Sequence, residues 1–131
     1  MNEMLSKKRI LIVDGEQDVL ESLEELLDAC IIDTTSNFET AKKLLEKKSY
    51  DAAIIDIIGV KGSALLKLVK QKKIPALMLT AHDISAQNRV KSIRGGACSY
   101  IPKHKMADID SYLADVIRVK SKGSSVLKNM V

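Results

Sequence analysis

The chain has 131 residues, 46% hydrophobic and 29% charged, enough for one domain with its own core and too apolar for wholesale disorder. Its net charge of +4 comes from lysines interleaved with acids, as in ETAKKLLEKK, which describes solvated helix faces, and the four aromatics stand outside the basic runs, so a nucleic-acid platform is disfavoured. No apolar run reaches the ~20 residues of a membrane span or forms a signal peptide, and Cys30 and Cys98 lack the spacing of a disulfide framework or zinc site, so a reducing cytoplasm is the expected compartment.

Five short apolar runs alternate with segments of helical period. RILIV (9 to 13) reads as the first strand, followed by a helix with Val19, Leu23, Leu26, Leu27 and Cys30 on one face and Glu21, Glu24, Glu25 and Asp28 on the other. IIDTT (31 to 35) reads as a second strand near an edge. SNFE then has the form of a capping box, with Ser36 as cap and Glu39 reaching back, opening a helix that buries Phe38, Ala41, Leu44 and Leu45. AAIID (52 to 56) is the third strand, and a helix with Leu65, Leu68 and Val69 follows. Pro75 precedes the fourth strand, ALMLT (76 to 80). A helix over roughly 85 to 94, presenting Val90 and Ile93, stops at Gly95-Gly96; CSYI (98 to 101) is the fifth strand. The last helix buries Ile109, Tyr112, Leu113, Val116 and Ile117, and residues 121 to 131 form a polar tail beyond a domain of residues 1 to 120.

Strict alternation with continuous apolar strands predicts an α/β fold, a doubly wound parallel sheet with helices on both faces. Ligands of such sheets bind outside the carboxyl ends of the strands. The residues at those ends are Asp14 and Glu16, Asp56, Thr80, and Pro102-Lys103. Carboxylates with water suit Mg²⁺, while a hydroxyl and an ammonium suit the oxygens of a phosphoryl group. Each residue alone is ordinary at a strand end; their joint position is the signal. It also accounts for Asp56 inside AAIIDIIGV, since burying an ionised carboxylate without compensation costs several kcal/mol.

In order and spacing, ILIVDGE, AAIIDII, LMLTA and SYIPK resemble the receiver domain of bacterial two-component response regulators over about residues 8 to 120. The resemblance implies a flavodoxin-like (βα)5 three-layer sandwich with strand order 2-1-3-4-5. It implies that Asp56 accepts a phosphoryl group from a sensor histidine kinase or phosphotransfer protein. Asp14, Asp56 and the backbone carbonyl of Ile58 would hold Mg²⁺ (or Mn²⁺), with Glu16 a further candidate ligand. Thr80 would bind the phosphoryl group and Lys103 pair with it. Tyr100 would turn inward with Thr80 and repack the face made by the fourth helix, fifth strand and fifth helix, a surface that also offers a homodimer.

Three positions depart from the family pattern. Gly15 stands where a second acid usually ligates the metal, the loop after Asp56 is about two residues short and lacks its proline, and Pro102 precedes Lys103 instead of following it. Ile58 and His82 occupy the two positions that flank the hydrolytic water of an aspartyl phosphate, and an apolar Ile58 predicts slow dephosphorylation. The expected function is that of a stand-alone phosphoacceptor switch acting on a separate output protein, without direct nucleic-acid or membrane binding. It is not a metabolic enzyme. The rivals are a binding module of the same fold that does not use phosphorylation, favoured by Gly15, and a small hydrolase with an Asp nucleophile, disfavoured because Ile58 stands where its second Asp belongs.

Overall fold

The structure is a computed structural model and describes residues 5–56, 62–80 and 99–118, with the side chains of Ser63, Ser99 and Tyr100 left aside. Strands β1 (Arg9–Val13), β2 (Ile31–Thr35), β3 (Ala52–Asp56), β4 (Ala76–Thr80) and β5 (Ser99–Pro102) alternate with helices α1 (Gln17–Leu26), α2 (Phe38–Lys47) and α3 (Gly62–Gln71). A 3-10 segment, Lys103–Asp108, follows β5, and residues 109–118 are helical. All strand pairs are parallel and the order is β2-β1-β3-β4-β5, the topology that the alternation and the resemblance imply. The helix expected over 85 to 94, Cys98 and the polar tail lie outside the described residues.

Alternation along the strands divides the core into two layers. Ile10 and Ile12 of β1, Ala52 and Ile54 of β3, Leu77 and Leu79 of β4 and Ile101 of β5 face α1 and the helix of residues 109–118. Leu11, Val13, Ala53, Ile55, Ala76 and Met78 face α2 and α3. Every residue of β3 and β4 is buried, as central parallel strands covered on both sides must be. Edge strand β2 is only partly covered, and its Ile31 is half exposed. Leu20 and Leu66 join the buried faces of α1 and α3 beside the residues that the period picks out. Among the described residues no helix is long and apolar enough to cross a membrane.

Two local expectations are corrected. Asn37, not Ser36, caps α2: it has extended φ/ψ of −138°/156°, and its side chain accepts a 2.8 Å hydrogen bond from the Thr40 amide. The helix therefore starts one residue later than a box built on Ser36 requires, and the amide satisfied is that of its third residue. Strand β5 is displaced by one residue, ending at Pro102, whose missing N–H is tolerated at a sheet edge. Helix α3 closes with Lys73 in the left-handed region (φ 60°), and the amides of Lys73 and Ile74 bond back to Lys70 and Val69. These are the two hydrogen bonds of a Schellman stop, which turns the chain into Pro75 and β4.

Candidate functional site

Asp14, Asp56 and Lys103 each follow an α1-side core residue, Ile12, Ile54 and Ile101, by two positions, and so leave the sheet on one side at its carboxyl edge. Asp14 is fixed by its backbone as well as its side chain. Its N–H donates to the carbonyl of Thr35 (3.2 Å), and its Oδ1 accepts from the amide of Glu16 (2.9 Å). That second bond closes an Asx turn, which aims the carboxylate inward. The carboxylate is fully buried.

Lys103 enters from the start of the 3-10 segment and meets three carboxylates. Its Nζ lies 2.9 Å from Glu16 Oε1, 3.1 Å from Asp14 Oδ2 and 3.9 Å from Asp56 Oδ2. The hydrogen bond to Asp14 runs to Oδ1 at 3.4 Å, while Oδ2, though nearer, is off-angle and has no hydrogen-bond partner. Charge attraction thus compensates Oδ2 but no directional donor does. Burial pushes the Asp14 carboxyl above its usual value, against the opposing pull of the Glu16 amide and of Lys103. Burial on its own would lower the Lys103 ammonium; the hydrogen bonds to Glu16 and Asp14 outweigh it and hold the group above its ordinary value.

Asp56 ends β3 between β1 and β4, with its side chain 12% exposed, enough to be approached from the rim. Thr80 ends β4, buried, opposite Pro102 and one register step from Lys103. By alternation it leaves the sheet on the side of Ala76 and Met78. Glu16 is 64% exposed and its carboxylate is turned to Lys103. Gly15 has open space where a side chain would begin, with no atom of the described residues within 4 Å of a Cβ built there. Ile58 and His82 lie outside the described residues, as does the side chain of Tyr100.

A divalent cation can be tested against this geometry. Among the described residues, three acids around one ammonium leave two negative charges in excess when all are ionised, and the orphaned Oδ2 of Asp14 is an oxygen that needs a partner. Among the described residues no three His, Cys, Asp or Glu side chains are placed to hold a metal ion. The residues fit an ion that takes two carboxylates and completes its shell with water and backbone oxygen, which is the habit of Mg²⁺. The Glu16–Lys103 contact was not legible in the sequence because its partners are 87 residues apart.

A second polar cluster is structural. Tyr50 donates to Asp33 Oδ2 at 2.7 Å, and Lys48 lies 3.1 Å from the same oxygen. The Tyr50 hydrogen bond, ahead of the lysine, holds the Asp33 carboxyl below its usual value. Burial and then Asp33 hold the Tyr50 phenol far above its own.

Comparison with known proteins places this rim in context. Residues 10–114 match the response regulator receiver domain family. The two-component response regulator ARR10 of Arabidopsis thaliana is 34% identical over 122 residues, covering 87% of this chain, which spans only 22% of ARR10. A two-component response regulator from Clostridium difficile has the same fold, with a TM-score of 0.77 at 23% identity over 86% of this chain and 97% of that one. A response regulator protein from Burkholderia pseudomallei, crystallised with a phosphorylated aspartic acid, a calcium ion and citrate, aligns with a TM-score of 0.74 at 22% identity, over 91% of this chain and 72% of that one. With a family match over most of its length and a sheet in the same strand order, the chain belongs to the response regulator receiver domain family.

Proposed function

We infer that Asp56 is the phosphoacceptor of a two-component switch. The observation that carries this reading is the carboxylate of Asp56 itself: it stands at the rim of the sheet, partly open, 3.9 Å from a lysine that Glu16 and Asp14 hold more tightly. The ammonium offsets the charge of this carboxylate from beyond hydrogen-bond distance, an arrangement that suits a nucleophile. An Asp56 oxygen forms the new O–P bond as the P–N bond of a phosphohistidine breaks, and the electron pair returns to the imidazole of the kinase or phosphotransfer protein. Lys103 pairs with the charge gained, and Thr80 donates its hydroxyl to a phosphoryl oxygen from the other side of the sheet.

Asp14 and Asp56, with the carbonyl of Ile58, would hold Mg²⁺ or Mn²⁺, which neutralises charge on the transferring group. Glu16 is a weaker candidate ligand, since Lys103 holds it at the rim. Motion of Thr80, with Tyr100 in train, changes the face used by partner proteins, so the output is a protein contact, formed in the cytoplasm with a separate protein or a second copy. No direct nucleic-acid contact is needed. The bulk of Ile58 slows hydrolysis of the phosphorylated form.

A small acyl phosphate with Mg²⁺ tests the acceptor. Intact-mass measurement is expected to show one phosphoryl adduct, absent from Asp56→Asn. A second reading, a binding module that does not use phosphorylation, is favoured by Gly15 and by the engagement of Lys103 with Asp14 and Glu16. It predicts no adduct at any donor concentration. Steady release of inorganic phosphate would point to a hydrolase.

A further inference from the structure

Glu16 stands beside the position that lacks an acid, yet its carboxylate holds the lysine and not the pocket. The Asx turn at Asp14 fixes where its backbone lies, because the Glu16 amide is one of the two donors to Asp14 Oδ1. From there the side chain reaches outward, 64% exposed, to within 2.9 Å of Nζ, the shortest of the three Lys103 contacts. The ammonium is thus drawn to the rim. The buried Oδ2 of Asp14 is left without a hydrogen-bond donor, and Asp56 is left 3.9 Å away.

We propose that Glu16 is a positioning residue, a clamp that receives the Lys103 ammonium when Asp14 and Asp56 take up a divalent cation. This rests on the reading of the rim as a cation-assisted phosphoryl site. A cation that binds Asp14 and Asp56 must displace the ammonium from them, because like charges cannot share the carboxylates at these distances. With Glu16 in place, Lys103 moves toward a carboxylate it already touches. Without it, the ammonium has no other close carboxylate among the described residues and competes with the cation for Asp14 and Asp56. In this chain, the side chain after Gly15 serves the metal indirectly, by removing its competitor.

The alternative, in which Glu16 ligates the cation itself, predicts the same direction for a single substitution. A double-mutant cycle separates them. Mn²⁺ binding is measured by electron paramagnetic resonance on the folded protein, without phosphodonor, for wild type, Glu16→Gln, Lys103→Met and the double variant. The clamp predicts that Glu16→Gln weakens binding about three- to fivefold, the upper part of the range of an exposed charged pair. Lys103→Met strengthens binding, and in that background Glu16→Gln changes it less than about twofold.

An undiminished loss in the Lys103→Met background overturns the clamp in favour of direct ligation. Equal affinity in wild type and Glu16→Gln overturns it as well, as does the absence of Mn²⁺ binding in all four proteins. The phosphoryl-adduct experiment on Asp56 is independent of this cycle, so a failed clamp and a failed acceptor are distinguishable.

Discussion

Placing an aspartate at position 15 adds a carboxylate where the rim has open space. A Cβ at Gly15 meets no atom of the described residues within 4 Å, so Gly15→Asp meets no clash at its first side-chain carbon and its main cost is electrostatic. The new charge joins Asp14, Asp56 and Glu16 around the single ammonium of Lys103. A like-charge pair ~6 Å apart at an effective dielectric of ~20 repels by nearly 3 kcal/mol, and exposure at the rim discounts that to about 1–2 kcal/mol after attraction to Lys103. Replacing glycine returns ~0.4–1 kcal/mol by restricting the unfolded chain. Repulsion wins, and without metal the variant is less stable by about 1 kcal/mol.

Mg²⁺ reverses the sign. A third carboxylate raises cation affinity about ten- to a hundredfold, which adds ~1.4–2.7 kcal/mol of stability over wild type when both are saturated. Urea denaturation in chelator and in excess Mg²⁺ reads the two stabilities, and calorimetric titration reads the affinity. A variant that binds Mg²⁺ within twofold of wild type refutes the claim that position 15 is where this rim lacks a ligand.

Two further perturbations test the polar contacts away from the rim. Asn37→Ala removes the side chain that accepts from the Thr40 amide and is expected to cost ~1 kcal/mol, whereas Ser36→Ala costs a few tenths; equal losses in chemical denaturation would return the cap to Ser36. Tyr50→Phe removes the 2.7 Å bond to Asp33 and is expected to cost about 1–2 kcal/mol at pH 7. The Asp33 carboxyl lies below its ordinary value of 3.8 in the folded protein, so its contribution is present above that value and is lost as pH falls through the depressed one. The gap between wild type and Tyr50→Phe should therefore close on acidification below about pH 4, and a gap that stays constant contradicts the assignment.

The sheet was legible because its signals are local and repeat. Strands β1, β3 and β4 each carry four consecutive apolar residues, and the Asp14, Asp56 or Thr80 that closes each run marks the carboxyl edge without reference to any distant residue. The errors fell where two neighbours offer the same chemistry. Ser36 and Asn37 are both good caps, and a difference of one residue in where the chain turns decides between them. Contacts between distant residues that no strand end marks were not legible. Glu16 with Lys103, and Tyr50 with Asp33, join groups whose neighbours in sequence say nothing of each other. Tyr50 stands in KKSYD, which reads as a loop, yet it is buried because the ring extends the α2–α3 layer below β3.

The sheet is also a partition. Side chains on its two sides never touch through it, so a methyl group lost beneath α1 and another lost beneath α3 leave separate holes, and their costs add. Each compartment is therefore free to drift in sequence without consulting the other. The carboxyl rim escapes that independence, because three charged groups arrive there from one compartment and the hydroxyl of Thr80 from its neighbour. A charge added at that rim would meet groups from both rooms at once, whereas one added within either interior would meet only its own.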